Sequence, residues 1–237
     1  TFTTMLPVGN DNREIYVSGQ RNNVSQNSVY NGIDVYGDKN YIHNNTVDKG
    51  LGNGINIQGY HNKIAYNDVK NASSYGISVG NSENLIDGNQ VMTSSQAALY
   101  IAGTYGTTVT ERNILKGSCV VMYSELNRTK ENKKVIENCN YSDLEGEIWN
   151  LNYYVYLFNS SWVTLDSFTY EKINKDYAFY ITESDNISIN SVRVTSIEKG
   201  EYIGLRISHS EDISVSNSQF EKLDDGIYSS NSEFLDF

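Results

Sequence analysis

The chain has 237 residues, with 29 acidic against 18 basic side chains, a formal net charge of −11 and a pI near 4.7. That balance argues against a nucleic-acid partner, because phosphate binding needs clustered Lys and Arg. No apolar run of about 18 residues is present, so no membrane insertion is expected.

The chain opens at Thr1 with no secretory signal pattern, which reads as a processed chain or a fragment of a longer one. From residue 14 onward a repeat takes over. Ile33, Ile55, Ile77 and Leu99 fall at a fixed interval of 22 residues, each opening a similar phrase: GIDVYGDKNYIHNNTV, GINIQGYHNKIAYNDV, GISVGNSENLIDGNQV and ALYIAGTYGTTVTERNI. A period of about 20 to 25 residues marks a stacked repeat whose units cannot bury their own apolar faces alone.

Within a unit the apolar residues alternate: Ile33 and Val35 flank Asp34, Ile55 and Ile57 flank Asn56, and Ile77 and Val79 flank Ser78. That period of two is a strand with one side chain inward and the next outward. A second apolar position follows at Ile42, Ile64 and Ile86, and a third at Val47, Val69 and Val91. Three short strands separated by turn residues describe one coil of a parallel β-helix. No stretch carries the i, i+3, i+4, i+7 pattern of a helical repeat.

Turn residues recur in their own registers. Gly19, Gly37, Gly59 and Gly103 stand where a tight bend calls for positive φ. Asn22, Asn40, Asn62 and Asn84 precede the second strand, and Asn27, Asn45, Asn67 and Asn89 follow it. Asparagine tolerates left-handed backbone and bonds neighbouring amides, so stacked copies are expected to form structural ladders rather than a catalytic site.

Residues 124–135 (SELNRTKENKKV) read as a polar insertion loop between regular coils over 14–117 and looser coils over 146–237. Cys119 and Cys139 fall in different strands of adjacent coils and are expected to be two small buried thiols. Residues 145–157 are the most aromatic stretch. In the second half Phe179-Tyr180-Ile181, Leu205-Arg206-Ile207 and Ile227-Tyr228 read as first strands, while Asp185-Asn186-Ile187 and Glu211-Asp212-Ile213 open second strands. Residues 232–237 read as a further second strand without a cap, so more chain or a partner is expected beyond Phe237.

These phrases, G-I-x-V/I, N-x-I and N-x-V, resemble the right-handed parallel β-helix repeats of the pectate-lyase-like superfamily, most of all phage tailspike and appendage β-helices. The resemblance implies one all-β domain over 1–237, a single-stranded solenoid of about ten coils and roughly 45–50 Å at the strand spacing. It further implies polysaccharide as partner, a homotrimer or larger virion assembly, and a virion-tail or extracellular location. Such folds also serve lyases, hydrolases and inert shafts, so the fold alone does not settle the activity.

Outward residues on stacked first strands form columns suited to an extended polymer. In the N-terminal half one column is Tyr16, Asp34, Asn56, Ser78 and Tyr100, and its neighbour is Tyr36, Gln58, Gly80 and Ala102. With 19 tyrosines in the chain, ring stacking on sugars and ordinary outward strand packing are both open readings. Only one carboxylate stands in these columns, which fits binding better than the paired carboxylates of glycoside hydrolysis. In the C-terminal half Tyr180, Arg206 and Tyr228 stack, with Glu183, His209 and Asp225 in nearby turns. Arg206 could neutralise a uronate while Tyr180 or His209 acts as base in a β-elimination, with Glu183 alongside. Alternatively, Arg206 pairs with Glu183 or Asp225 on a solvated face. No cofactor motif is present: the histidines lack zinc spacing, and the acidic pairs Asp224-Asp225 and Glu211-Asp212 do not amount to a calcium motif. The expected function is a tailspike-type β-helix that binds, and in one version depolymerises, a cell-surface polysaccharide. The alternatives are a secreted lyase or hydrolase and a non-catalytic rod.

Overall fold

The structure, a computed structural model, describes residues 15–237 apart from 95, 103–106, 111, 117–119, 124–133, 138, 142–152, 174–175 and 197–201. The expected bend at Gly103, most of the insertion loop, the Cys119 half of the cysteine expectation and the start of the aromatic stretch lie outside the described residues.

Every described strand pairs in parallel with the strand one coil away. Ten first strands form one continuous sheet, from Ile15–Ser18 and Ile33–Tyr36 through Tyr153–Phe158, Tyr177–Thr182 and Ile203–Ser208 to Asp225–Ser230. Nine third strands form another continuous sheet. The second side is divided into two sheets of five strands, and the break falls between Thr108–Val109 and Lys134–Glu137. Nine three-stranded coils and a tenth of two strands follow from these orders.

Alternation places the core as the sequence pattern predicts. Ile33, Ile55, Ile77 and Leu99 align across successive strands, and the register continues through Val120, Val155, Phe179, Leu205 and Ile227. Ile55, Ile57, Ile64 and Val69 are all fully buried, and burial of such side chains stabilises by roughly 1.5–3 kcal/mol each. The C-terminal core is aromatic as well as aliphatic: Tyr154 stacks on Tyr170 at 4.9 Å, and Tyr170 and Phe168 lie 5.6 and 5.8 Å from Phe179. Burial raises the Tyr170 hydroxyl well above the usual tyrosine range.

The asparagines form ladders. Asn22 N donates to Asn40 Oδ1 at 2.9 Å, Asn40 N to Asn62 Oδ1 at 2.8 Å, and Asn62 N to Asn84 Oδ1 at 2.9 Å. The second register runs from Asn27 through Asn45, Asn67 and Asn89 to Asn113, with backbone and side-chain amides both donating to the next carbonyl oxygen. The left-handed residue is not the ladder asparagine but the one before it: Arg21, Lys39, His61 and Glu83 have φ of 58, 58, 57 and 60°. Ladder geometry needs the asparagine side chain turned along the coil axis, so the preceding residue takes the bend. Gly37 has φ of 131°, and a Cβ there would stand 2.1 Å from the Gly19 carbonyl oxygen. Both observations require glycine.

Candidate functional site

On the first sheet of the C-terminal half, Tyr156, Tyr180, Arg206 and Tyr228 stand in register on successive strands. Tyr153 and Tyr177 pair beside them at the strand starts. Their rings form a connected strip: Tyr153–Tyr156 stack at 4.6 Å, Tyr156–Tyr180 lie 5.4 Å apart, and Tyr177–Tyr180 lie 5.5 Å apart. Such an outward row follows from strand periodicity, since every inward Val155, Phe179 and Leu205 forces its successor to the surface.

Arg206 sits within this strip. Its guanidinium lies 5.2 Å from the Tyr177 ring and 5.6 Å from each of the Tyr180 and Tyr228 rings. Nη1 donates to Tyr177 Oη at 2.9 Å, while Nε is buried with no acceptor. No carboxylate among the described residues contacts Arg206, so the pairing with Glu183 or Asp225 does not form. Three aromatic faces hold the cation instead, at roughly 0.5–2 kcal/mol each. A guanidinium held by rings keeps its charge available to an incoming anion.

The remaining C-terminal candidates form a separate column at the corner. Glu183 and His209 are exposed, with φ of 50° each, and occupy equivalent positions on adjacent coils. His209 Nδ1 lies 2.8 Å from Ser208 Oγ and Nε2 lies 3.3 Å from Asn231 Nδ2. Glu183 and His209 lie past the ends of the strands Tyr177–Thr182 and Ile203–Ser208, at the corner, so Arg206 and Tyr180 form one group on the sheet face and Glu183 and His209 another.

The N-terminal columns keep the expected register but not the expected exposure. Tyr16 pairs with Asp34, Asp34 with Asn56, Asn56 with Ser78, and Ser78 with Tyr100. Asp34, Asn56 and Ser78 are only 3, 8 and 5% exposed, which removes them from an open groove. Tyr16 and Tyr36 are exposed and lie 5.4 Å apart, Gln58 is exposed beside them, and Tyr100 stacks on Tyr75 at 4.4 Å. The sequence reading missed Tyr153, Tyr156 and Tyr177, which the C-terminal coil spacings of 24 and 26 residues could have aligned.

A polar cluster unforeseen from the sequence stands on the second side of the N-terminal half. Asp87, 2% exposed, accepts from Thr110 Oγ1 at 2.6 Å and Arg112 Nε at 2.8 Å, and Arg112 Nη1 donates to Tyr66 Oη at 3.0 Å. Burial opposes the Asp87 charge, but the Thr110 and Arg112 bonds outweigh it and hold the carboxyl below its usual range. Two rungs away in the same column, burial and the nearby Lys63 charge lower the pKa of His43. Among the described residues no three His, Cys, Asp or Glu side chains converge as metal ligands, and no helix is long and apolar enough to cross a membrane.

Residues 7–114 match the family described as the right-handed beta helix region. By fold, the chain is a right-handed β-helix resembling phage tailspikes. The β-helix is similar to the full-length tailspike protein 2 of Escherichia coli O157:H7 bacteriophage CAB120, with 12% identity and a TM-score of 0.51. That match covers 89% of this chain and 38% of the tailspike, so this chain spans less than two fifths of its length. Weaker likenesses are to the enzymatically active domain of bacteriophage CBA120 tailspike protein 2 (TM-score 0.43, 12% identity, 89% of this chain and 39% of that one) and to a protein assigned as a glycosyl hydrolase from Parabacteroides merdae ATCC 43184 (TM-score 0.35, 9% identity, 86% and 81%). No curated protein matches significantly.

Proposed function

We propose that this β-helix binds a cell-surface polysaccharide carrying acidic groups along the tyrosine strip of its C-terminal first sheet. The observation that carries the reading is Arg206, a cation set among the faces of Tyr177, Tyr180 and Tyr228 with no carboxylate partner. Tyrosine rings stack on pyranose faces and their hydroxyls bond sugar rims, while a guanidinium binds a carboxylate through paired donors. The tailspike likeness supports the polymer class, a trimeric assembly and a location on a virion tail or outside the cell.

Binding is the activity best supported, since no pair of carboxylates stands on this strip among the described residues, and hydrolysis needs two flanking the scissile bond. An elimination at the strip would use Arg206 to neutralise a uronate and Tyr180 as base; His209 and Glu183 lie in the corner column.

The test is a panel of acidic and neutral bacterial surface polysaccharides, read by immobilised-ligand binding and by release of ultraviolet-absorbing unsaturated ends. Arg206→Ala and Tyr180→Ala should each lower affinity for acidic polymers about tenfold, equivalent to about 1.4 kcal/mol, with the fold retained by circular dichroism although the lost ring contacts lower Tm. Equal binding by wild type and both variants would overturn the proposal. Release of unsaturated ends that Arg206→Ala abolishes would extend binding to depolymerisation. Light scattering reads the proposed trimer directly.

A further inference from the structure

The second side of the C-terminal half differs in kind from the tyrosine strip. Its strands Ser161–Asp166, Asp185–Asn190 and Glu211–Ser216 lie in one parallel sheet. Thr164, Ser188 and Ser214 stack in register on its outer face. Each strand is kinked at its second residue, Trp162, Asn186 and Asp212, with φ of 55, 54 and 51°. The kink recurs at Phe234 with φ of 53°, so it belongs to the coil path rather than to one site. Its consequence is local: these side chains border a depression of about 210 Å³ floored by Ile187.

The hydroxyls in this depression are unlike the other stacked serines. Ser160, Ser184, Ser210 and Ser232 each donate to the carbonyl two residues earlier, at 2.9–3.0 Å. Thr164, Ser188 and Ser214 make no side-chain hydrogen bond among the described residues, and neither does the Asp212 carboxylate. Asn186 donates to Asp185 at 2.7 Å, which leaves its carbonyl oxygen free. An indole face, a row of free hydroxyls, an amide oxygen and a carboxylate converge on one shallow space.

We infer that this depression, bordered by Trp162, is a second binding site that takes a single neutral sugar ring. The indole supplies the stacking face, and the hydroxyls, amide and carboxylate match sugar hydroxyls as both donors and acceptors. The volume lies below the roughly 300–1,000 Å³ of drug-sized pockets, which suits one ring rather than an oligosaccharide. Charge sets the class: Asp212 lines the space, Asp185 and Glu211 stand in register beside it, and among the described residues no cation lines it. A uronate is therefore disfavoured here, opposite to the preference proposed around Arg206. The site lies on another side of the coil and does not depend on the strip.

The chain has two tryptophans, so Trp149→Phe leaves Trp162 as the only indole. In that background, the fluorescence of the full chain is titrated with methyl glycosides of glucose, galactose, mannose and N-acetylglucosamine, and with methyl glucuronide. At least one neutral glycoside should give a saturable change with a Kd on the order of millimolar, as ligand size allows. Ser188→Gln, which fills the depression and keeps the indole, should weaken that binding at least tenfold. Arg206→Ala should leave it unchanged, which separates this site from the strip. No saturable change with any neutral glycoside, tighter binding of the glucuronide, or unaltered binding by Ser188→Gln would each overturn the inference.

Discussion

The two halves of the solenoid turn the same corner by different means. Between Tyr36 and Tyr41 the chain uses four residues, Gly37 to Asn40, and closes on an asparagine ladder; between Thr182 and Asp185 it uses two, Glu183 and Ser184, and closes on a serine ladder. The N-terminal second strand Tyr41–His43 buries one apolar side chain, Ile42, whereas Asp185–Asn190 buries Ile187 and Ile189. A three-residue strand contributes few ladder bonds, so the asparagine amide bridges coils as donor and acceptor at once. A six-residue strand supplies more of its own pairing, and a hydroxyl bonded to its own chain and to the next rung suffices. The wider C-terminal coil is filled by Tyr154, Phe168, Tyr170 and Phe179 in place of aliphatics alone. The break in the second side falls between these two constructions, while the first and third sheets run on through it.

The contrast makes the asparagine ladder the more expensive one to cut. Asn67 donates from Nδ2 to Ile42 O at 3.0 Å and Asn89 Oδ1 at 2.9 Å, and its Oδ1 accepts from Asn45 N and Nδ2 at 3.0 and 2.9 Å. Asn67→Ala strands the Asn45 amide in a buried corner and removes the side-chain bonds to the Ile42 carbonyl, Asn45 Nδ2 and Asn89 Oδ1. At about 1–3 kcal/mol for each unsatisfied group, the loss should reach about 3–5 kcal/mol. Denaturant unfolding measures it, and hydrogen exchange should show the Asn45 amide losing protection first. A loss under about 1 kcal/mol would mean the strands, not the ladder, hold the corner.

This division explains which features could be read in the sequence. Strand alternation around Ile33, Ile55 and Ile77 and the asparagine registers were legible because the strands, and the asparagines from Asn40 to Asn84 and from Asn45 to Asn89, recur every 22 residues, and the structure carries both. The bend falls one place before the asparagine: Arg21, Lys39, His61 and Glu83 take left-handed φ and range from basic to acidic, since the fold imposes the bend on whatever precedes the asparagine. Past the break, coil lengths of 24 and 26 residues blurred the period, so Tyr156 and Tyr177 went unaligned with Tyr180. The burial of Asp34 and Asn56 could not be read from alternation, because an outward position is not by itself an open one. Of the rings around Arg206, Tyr180 and Tyr228 were legible as its neighbours in register, but Tyr177, three residues earlier on the strand of Tyr180, was not.

The next effect tests charge in the short-stranded half. Asp87 is buried and its carboxyl held below the usual range by Thr110 and Arg112, so its ion pair adds stability above the ordinary carboxylate pKa. That stability is lost as pH falls through the lowered folded value. Arg112→Met should lower stability by about 1–3 kcal/mol at neutral pH, less than for a fully buried pair because the guanidinium side chain is 57% exposed. Near pH 3 the difference from wild type should shrink, because the unpaired carboxyl is then protonated. Urea unfolding at both pH values checks this, and a gap independent of pH would assign the Arg112 effect to packing on the Tyr66 ring.

The smallest expected effect lies in the serine ladder. Ser184 Oγ accepts from Ser160 N at 3.1 Å and donates to Thr182 O at 2.9 Å. Ser184→Ala removes both bonds but leaves the six-residue strands on either side of the corner paired through Ser161↔Asp185 and Asp185↔Glu211. The methyl group also fills most of the space the hydroxyl leaves. We expect a loss of about 1–2 kcal/mol, less than half that of Asn67→Ala, with faster exchange confined to the Ser160 amide. A loss as large as that of Asn67→Ala would show that both halves depend equally on their corner ladders, and strand length would then not explain why one uses asparagine and the other serine.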